Sequence, residues 1–220
     1  MKAPDSVGRL VRVLAIMVAP LALSIIVLDW DDTIFPTSWW LHHREPPTLQ
    51  EARLLRNWAR SASEFLATVQ GTSSLAFVLT AATKTWVKQC IDFWSSIEAL
   101  PYAHTVGTAM PVHSVHDKGM NKADALCEVL RELRTEMESM QPGRQVKIDV
   151  CMCGDQDTDM FAAHWAVASG HAHRALGLRF ESSSPSLLIF TAQLCAAREL
   201  LSTPWSERTA PGMFRELRLI

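Results

Sequence analysis

Three short apolar segments, each ending abruptly in polar residues, constrain the fold of this chain most strongly. They are Ser24–Leu28, Leu75–Leu79 and Lys147–Cys153. Their short length and their content of Val, Ile and Phe favour strands over helices. A further candidate strand lies at Leu176–Phe180.

Helical patterns alternate with these strands. Apolar residues recur at helical spacing in five segments, at Thr48–Val69, Trp86–Leu100, Asn121–Met140, Thr158–Ser169 and Pro185–Leu201. Asn121 is a suitable N-cap for the third of them. Strands that alternate with helices predict a parallel sheet with crossover helices on its faces. We therefore expect an α/β fold, as a three-layer α/β/α sandwich with a mainly parallel, Rossmann-like sheet.

The chain is long enough for one such domain. It has 220 residues, of which 48% are hydrophobic, and this suffices for one well-packed core. We place the domain at residues 23–201. An apolar N-terminal leader or helix (1–22) precedes it, and a C-terminal tail of weak pattern (202–220) follows it.

The apolar N-terminal segment allows three interpretations. Val13–Leu28 is almost entirely apolar and contains Pro20, but it is shorter than the roughly 18 to 20 residues of a membrane-spanning helix. Cleavage as a secretory signal would cut into the first predicted strand. We therefore favour a short leader or helix at Leu10–Ala19 and a cytoplasmic protein. A membrane tether through residues 10–23 and a secretory route are the alternatives.

The net charge and the cysteine content argue against a nucleic-acid-binding protein and against a disulfide-rich protein. A formal net charge of −2, with scattered basic residues, gives no reason to expect a nucleic-acid partner. The five cysteines form no disulfide framework, which agrees with a reducing compartment. Cys151 and Cys153 fall on one face of a predicted strand, where packing is expected rather than metal binding.

The residues that could carry out catalysis or bind a metal follow the predicted strands. Asp29 and Asp31 follow the first strand, Thr80 the second and Asp155 the third. In parallel sheets, functional groups collect at the carboxyl ends of the strands. One carboxylate of such a pair can attack phosphorus while the other donates and later removes a proton. A hard cation with oxygen ligands would offset the concentrated negative charge.

Four motifs in chain order resemble those of the haloacid dehalogenase-like (HAD) hydrolase superfamily, over residues 24 to 170. They are Asp29-Trp30-Asp31-Asp32-Thr33, Thr80, a lysine at 122 or 118, and Gly154-Asp155-Gln156-Asp157-Thr158-Asp159. The resemblance implies Mg²⁺ as cofactor and an aspartyl-phosphate intermediate. Because no large insertion separates the motifs, it implies a capless or minimally capped member.

The resemblance also implies roles for individual residues. Asp29 is similar to the family's nucleophile, and Asp31 to its general acid/base. Thr80 would hold the transferring phosphoryl group. Lys122 opens a predicted helix, where the family usually has its third-motif lysine, and Lys118 is the second choice. Either lysine would contact the substrate phosphate.

The resemblance also implies a set of metal ligands. Four aspartates would bind Mg²⁺, namely Asp29, Asp31 through its backbone carbonyl, Asp155 and Asp159. Thr33 matches the form common among phosphatases of the superfamily and is a candidate substrate-binding residue.

Two residues of the first motif depart from the family's usual pattern. Asp32 stands where glycine is common, and the bulky Trp30 has no assigned role. Residues 36–47 are expected to form a surface loop beside the first motif.

These implications favour a Mg²⁺-dependent phosphatase that hydrolyses a phosphate monoester through an aspartyl-phosphate. Its partner would be a phosphorylated substrate, either a small molecule or a phosphoprotein. The alternative is a non-catalytic HAD-like module that binds phosphate or another protein.

Overall fold

The computed structural model describes residues 22–43, 46–97, 106–142, 144–181, 186–204 and 209–219. Within these ranges, six strands alternate with seven helices. In chain order the elements are β1 (Ala22–Leu28), α1 (Thr37–His42), α2 (Leu49–Thr72), β2 (Leu75–Thr80), α3 (Lys84–Ile97), β3 (Val112–Ser114), α4 (Val115–Lys118), α5 (Lys122–Met140), β4 (Lys147–Gly154), α6 (Asp157–Ala168), β5 (Arg174–Arg179), α7 (Leu187–Leu201) and β6 (Phe214–Arg218).

The described strands form one parallel sheet with the order β3-β2-β1-β4-β5-β6. From β1 the sheet grows through β2 to β3 on one side, and from β4 through β5 to β6 on the other. The strand order therefore reverses between β1 and β4. In open α/β sheets, the crevice at the carboxyl ends of the strands beside such a switch point is the usual ligand site.

Helices cover both faces of the sheet. Along β1, Ile26 and Leu28 face a core formed with α2, α3 and α7, whereas Ile25 and Val27 face a second core formed with α5 and α6. This alternation is the two-residue period of a strand. Because both faces are buried, the central strands read as continuous apolar runs. The predicted three-layer α/β sandwich with a parallel sheet is confirmed.

The predicted helices agree closely with the structure. Thr48 caps α2 in a reciprocal capping box with Glu51. Asn121 caps α5 as expected, since its side-chain oxygen accepts a hydrogen bond from the backbone N–H of Asp124. The cap fixes the start of α5 at Lys122, at the carboxyl end of the sheet.

Four elements went unpredicted. The edge strand β3 has only three residues, helix α4 has only four, and α1 lies within the predicted loop at 36–47. Strand β6 lies within the segment interpreted as a C-terminal tail, and it pairs with β5 at the sheet edge. Its sequence Phe-Arg-Glu-Leu-Arg carries charges, which edge strands tolerate and central strands do not. This correction extends the sheet beyond residue 201.

The predicted leader or helix at residues 1–22 lies almost entirely outside the described residues. Among the residues that the structure describes, no helix is both long enough and apolar enough to cross a membrane.

Candidate active site

The candidate site lies at the switch point between β1 and β4. The backbone N–H of Asp29 donates to the carbonyl of Cys153 at 2.8 Å, which extends the β1–β4 ladder by one residue. Strand β4 ends at Gly154, and Asp155 follows directly. The register, with Leu28 opposite Cys153, therefore brings Asp29 and Asp155 side by side.

A third carboxylate joins them from α6. Asp159 lies in the first turn of this helix, and its Oδ2 accepts a hydrogen bond from the backbone N–H of Gln156 at 3.0 Å. Asp29, Asp155 and Asp159 are all buried. One carboxylate oxygen from each lies within 4.8 Å of the other two, close enough to share one metal ion.

Lys122 is the cation that contacts this cluster. Its Nζ lies 2.8 Å from Asp29 Oδ1 and 2.5 Å from Asp159 Oδ1, and its side chain is only 5% exposed. Lys118, the other lysine considered from the sequence, pairs with Glu128 at 3.0 Å on the surface. Lys122 lies in the cluster because it is the first residue of α5, where the Asn121 cap directs the chain.

Burial disfavours the charged forms of the acids in the cluster. Burial and the nearby Asp159 carboxylate raise the pKa of Asp29 well above its usual range, although Lys122 opposes this. The same two causes raise the pKa of Asp155 to about 6. Burial opposes the charge of Lys122, but the Asp29 and Asp159 carboxylates raise its pKa above the ordinary value, so it stays cationic.

The cluster fits a hard divalent cation. Within the described part of the chain, one lysine contacts a group of three carboxylates, so negative charge is in excess when the carboxylates are ionised. Asp155 Oδ1 is buried and receives no hydrogen bond from the described residues. Buried acceptors of this kind require a partner, and Mg²⁺ prefers carboxylate and carbonyl oxygens. The donor set therefore suits the cofactor expected from the sequence.

Gly154 makes room for the third carboxylate. A Cβ atom at this position would lie 2.4 Å from both Cγ and Oδ2 of Asp159. No side chain fits at that distance, so any larger residue would displace the carboxylate from the cluster. The glycine of the Gly-Asp-x-x-x-Asp motif is thus required by the packing of its last aspartate.

Replacing Gly154 with Ala should displace Asp159 and weaken binding of the Mg²⁺ that the sequence predicts. We expect a loss of about 1–3 kcal/mol in the free energy of unfolding, as for other overpacked sites. The rise in melting temperature on adding Mg²⁺ should also be smaller than in the wild type. Urea unfolding and thermal melts with and without MgCl₂ measure both effects.

Gly71→Ala is the matched control, because a Cβ at this helical position meets no heavy atom within 4 Å. It should leave stability unchanged or raise it by up to about 1 kcal/mol. Wild-type stability together with a wild-type Mg²⁺ response in Gly154→Ala would contradict the packing argument.

Asp31 lies outside the buried cluster and is only partly buried. Its Oδ1 accepts hydrogen bonds from Thr37 Oγ1 at 2.5 Å and from Trp86 Nε1 at 2.8 Å. In the turn around it, the Trp30 carbonyl accepts from the backbone N–H groups of Ile34 and Phe35. Among the described residues, none donates a hydrogen bond to the Asp31 carbonyl, which is the group expected to face a metal.

The structure accounts for aspartate at position 32. Asp32 has φ of +53°, the left-handed region that glycine adopts without strain and that Asp tolerates better than most residues. Its carboxylate accepts hydrogen bonds from the backbone N–H of Ser38 at 2.9 Å and from Ser38 Oγ at 2.5 Å. Asp32 thereby ties the motif turn to helix α1, which a glycine could not do.

Thr33 and Thr80, the two candidate substrate-binding threonines, are buried. Thr80 ends β2, and the pairing of Leu28 with Val78 brings it to the same sheet edge as Asp29. Its Oγ1 accepts a hydrogen bond from the backbone N–H of Ala82 at 3.0 Å. The Thr33 hydroxyl has no partner among the described residues. None of the described hydrogen bonds joins either threonine to the aspartates.

Some contacts at the site had no signal in the sequence. Trp86 is separated from Asp31 by 55 residues and was recognised only as the start of a predicted helix. Thr37 was assigned to a loop. Asp157, within the fourth motif, has an exposed side chain that pairs with Arg179 at 2.6 Å. Trp30 is fully buried and stacks on Phe35, which gives it a packing role.

Comparisons of this chain with protein-family models, with curated proteins and with solved structures found no match.

Proposed function

We propose that this protein is a Mg²⁺-dependent phosphatase that hydrolyses a phosphate monoester through an aspartyl-phosphate on Asp29. One observation carries the proposal. At the switch point of a parallel sheet, the Lys122 ammonium lies 2.8 Å from Asp29 and 2.5 Å from Asp159, in a cluster completed by Asp155. These four residues also follow one another along the chain in the order of the HAD motifs that they resemble.

Asp29, Asp155 and Asp159 would hold the metal, together with the backbone carbonyl of Asp31. Bound there, Mg²⁺ would offset the charge of the carboxylates and of the incoming phosphate. Lys122 would remain charged beside Asp29 and attract the phosphoryl oxygens. The hydroxyl of Thr80 would donate a hydrogen bond to the phosphoryl group, because its oxygen already accepts one from Ala82.

The reaction would proceed in two steps. First, a carboxylate oxygen of Asp29 bonds to phosphorus while the ester P–O bond breaks, and the Asp31 carboxyl gives its proton to the leaving oxygen. Second, water bonds to phosphorus and gives its proton to the Asp31 carboxylate, while the bond between phosphorus and Asp29 breaks. Inorganic phosphate leaves, and both carboxyl groups return to their starting forms.

The test is turnover combined with capture of the intermediate. Purified protein should release phosphate from p-nitrophenyl phosphate with MgCl₂, and EDTA should stop this release. Borohydride reduction during turnover should convert the phosphorylated aspartate to homoserine, and peptide mass spectrometry should locate it at position 29.

The outcome that would overturn the proposal is equally specific. Absence of turnover on a panel of small phosphate esters and phosphoproteins, with no Mg²⁺-dependent rise in melting temperature, would exclude the enzyme. Such a protein would instead be a non-catalytic module. Homoserine at a position other than 29 would reassign the nucleophile.

A further inference from the structure

We infer that Trp86 and Thr37 are positioning residues for proton transfer by Asp31, an inference that rests on the proposed function. They hold Asp31 Oδ1 as a fixed acceptor and leave Oδ2 to exchange the proton with the leaving group and with water. Neither residue belongs to the four motifs.

Two helices from different parts of the chain supply the donors. Thr37 begins α1, directly after the motif turn, and Trp86 lies in the first turn of α3, after β2. Both donate to Asp31 Oδ1, at 2.5 Å and 2.8 Å. Two donors on one oxygen oppose rotation of the carboxyl group about its last torsion, because rotation would break both bonds.

The chemistry of the donors fixes which oxygen carries the proton. An indole N–H can only donate, and it remains a donor at every pH at which the protein folds. Oδ1 must therefore accept from Trp86 in both protonation states of Asp31. Among the described residues none donates to Oδ2, so the exchangeable proton belongs on that atom.

Packing holds the indole ring in place. Trp86 meets the fully buried Phe35 edge-on, with centroids 6.3 Å apart and rings at 86°. Phe35 in turn contacts the rings of Trp30, Trp40 and Trp58. The backbone N–H of Trp86 also donates to Thr83 Oγ1 at 3.1 Å, which fixes the first turn of α3. The ring is thus fixed before substrate binds.

Positioning of a general acid has a kinetic signature that a purely structural role lacks. An alkoxide is a poor leaving group and needs the proton from Asp31, whereas p-nitrophenolate departs readily without it. Loss of the indole donor should therefore slow the first step with an alkyl phosphate much more than with p-nitrophenyl phosphate. kcat/KM is the correct quantity because it includes formation of the aspartyl-phosphate and excludes its hydrolysis.

The experiment compares two variants with the wild type. Trp86→Phe keeps an aromatic ring against Phe35 but removes the indole donor, and Thr37→Val removes the hydroxyl donor. We expect kcat/KM for ethyl phosphate to fall about 10- to 100-fold, part of the 10²–10⁴ that a general acid contributes. With p-nitrophenyl phosphate it should fall by less than about threefold. Thr37→Ser keeps the donor and should retain the wild-type ratio between the two substrates.

Trp165→Phe is the matched control, because this partly exposed tryptophan stacks on Phe161 in α6, far along the chain from the Asp31 contacts. It should leave both substrates unaffected. If the wild type is an active phosphatase and kcat/KM of Trp86→Phe falls equally for both substrates, or for neither, the inference is overturned and the proposed function is not.

A second readout is independent of turnover. The indole ¹⁵N–¹H signal of Trp86, assigned by its absence in Trp86→Phe, should move and exchange faster with solvent in Asp31→Ala. An unmoved signal would overturn the hydrogen bond itself. A wild-type protein without phosphatase activity would overturn the proposed function and the proton-transfer role together, and the indole signal would still establish or exclude the contact.

Discussion

Replacing Lys122 with Met is expected to destabilise the metal-free protein by about 3–5 kcal/mol, the usual cost of removing one partner from a buried ion pair. The Lys122 ammonium is the cation bonded to both Asp29 and Asp159. Without it, the carboxylates repel one another in a site that water hardly enters. Urea unfolding in the presence of EDTA measures the loss.

Mg²⁺ should recover part of this stability, because a ligand that binds only the folded protein adds about 2.7 kcal/mol at a hundred times its dissociation constant. Turnover of Lys122→Met should nevertheless stay low with saturating Mg²⁺, since the cation beside the phosphoryl group is missing.

Lys118→Met is the matched control. Lys118 forms a surface pair with Glu128, and pairs of this kind contribute less than about 1 kcal/mol. This variant should unfold and turn over like the wild type. Equal losses in the two variants would contradict the assignment of Lys122 to the site.

Replacing Asp29 with Asn should affect activity and stability in opposite directions. Turnover should fall on the order of 10⁴-fold or more, because the proposed covalent route would lose its nucleophile. Stability of the metal-free protein should be unchanged or higher, because burial and Asp159 disfavour the ionised Asp29 carboxylate. A neutral amide of similar size removes that unfavourable charge, and Lys122 keeps its bond to Asp159.

Initial rates with p-nitrophenyl phosphate and urea unfolding with EDTA measure the two effects. Asp29→Ala should show the same loss of turnover and excludes recovery through deamidation of the new asparagine. Asp157→Asn is the control, because this exposed acid pairs with Arg179 rather than with the cluster. Retained turnover in Asp29→Ala would reject Asp29 as the nucleophile.

Much of the fold could be predicted because its signals are local. A strand buried on both faces must be an apolar run, as in β1, and Asn121 predicts the start of α5 through its own side chain. The edge strand β6 escaped prediction because its charged residues at the sheet edge lack that signal. Its strand state depends on pairing with β5, a contact between distant parts of the chain.

The same distinction applies to the candidate site. Asp29, Lys122, Asp155 and Asp159 could be singled out because each lies next to a recognisable strand end or helix start. The hydrogen bonds of Asp31 to Thr37 and Trp86 could not, because the position of α3 relative to the motif turn depends on aromatic packing around Phe35. No periodicity along the chain encodes that packing.

The sequence by itself determined the alternation of strands and helices, and hence which polar residues follow which strand. Apolar runs and helix caps act on their own neighbours, so they can be recognised before the chain is folded. Only the tertiary structure decided that Lys122 rather than Lys118 contacts Asp29, and that Gly154 makes room for Asp159. Those outcomes depend on distances of a few ångströms between segments that only the packed sheet and helices bring together.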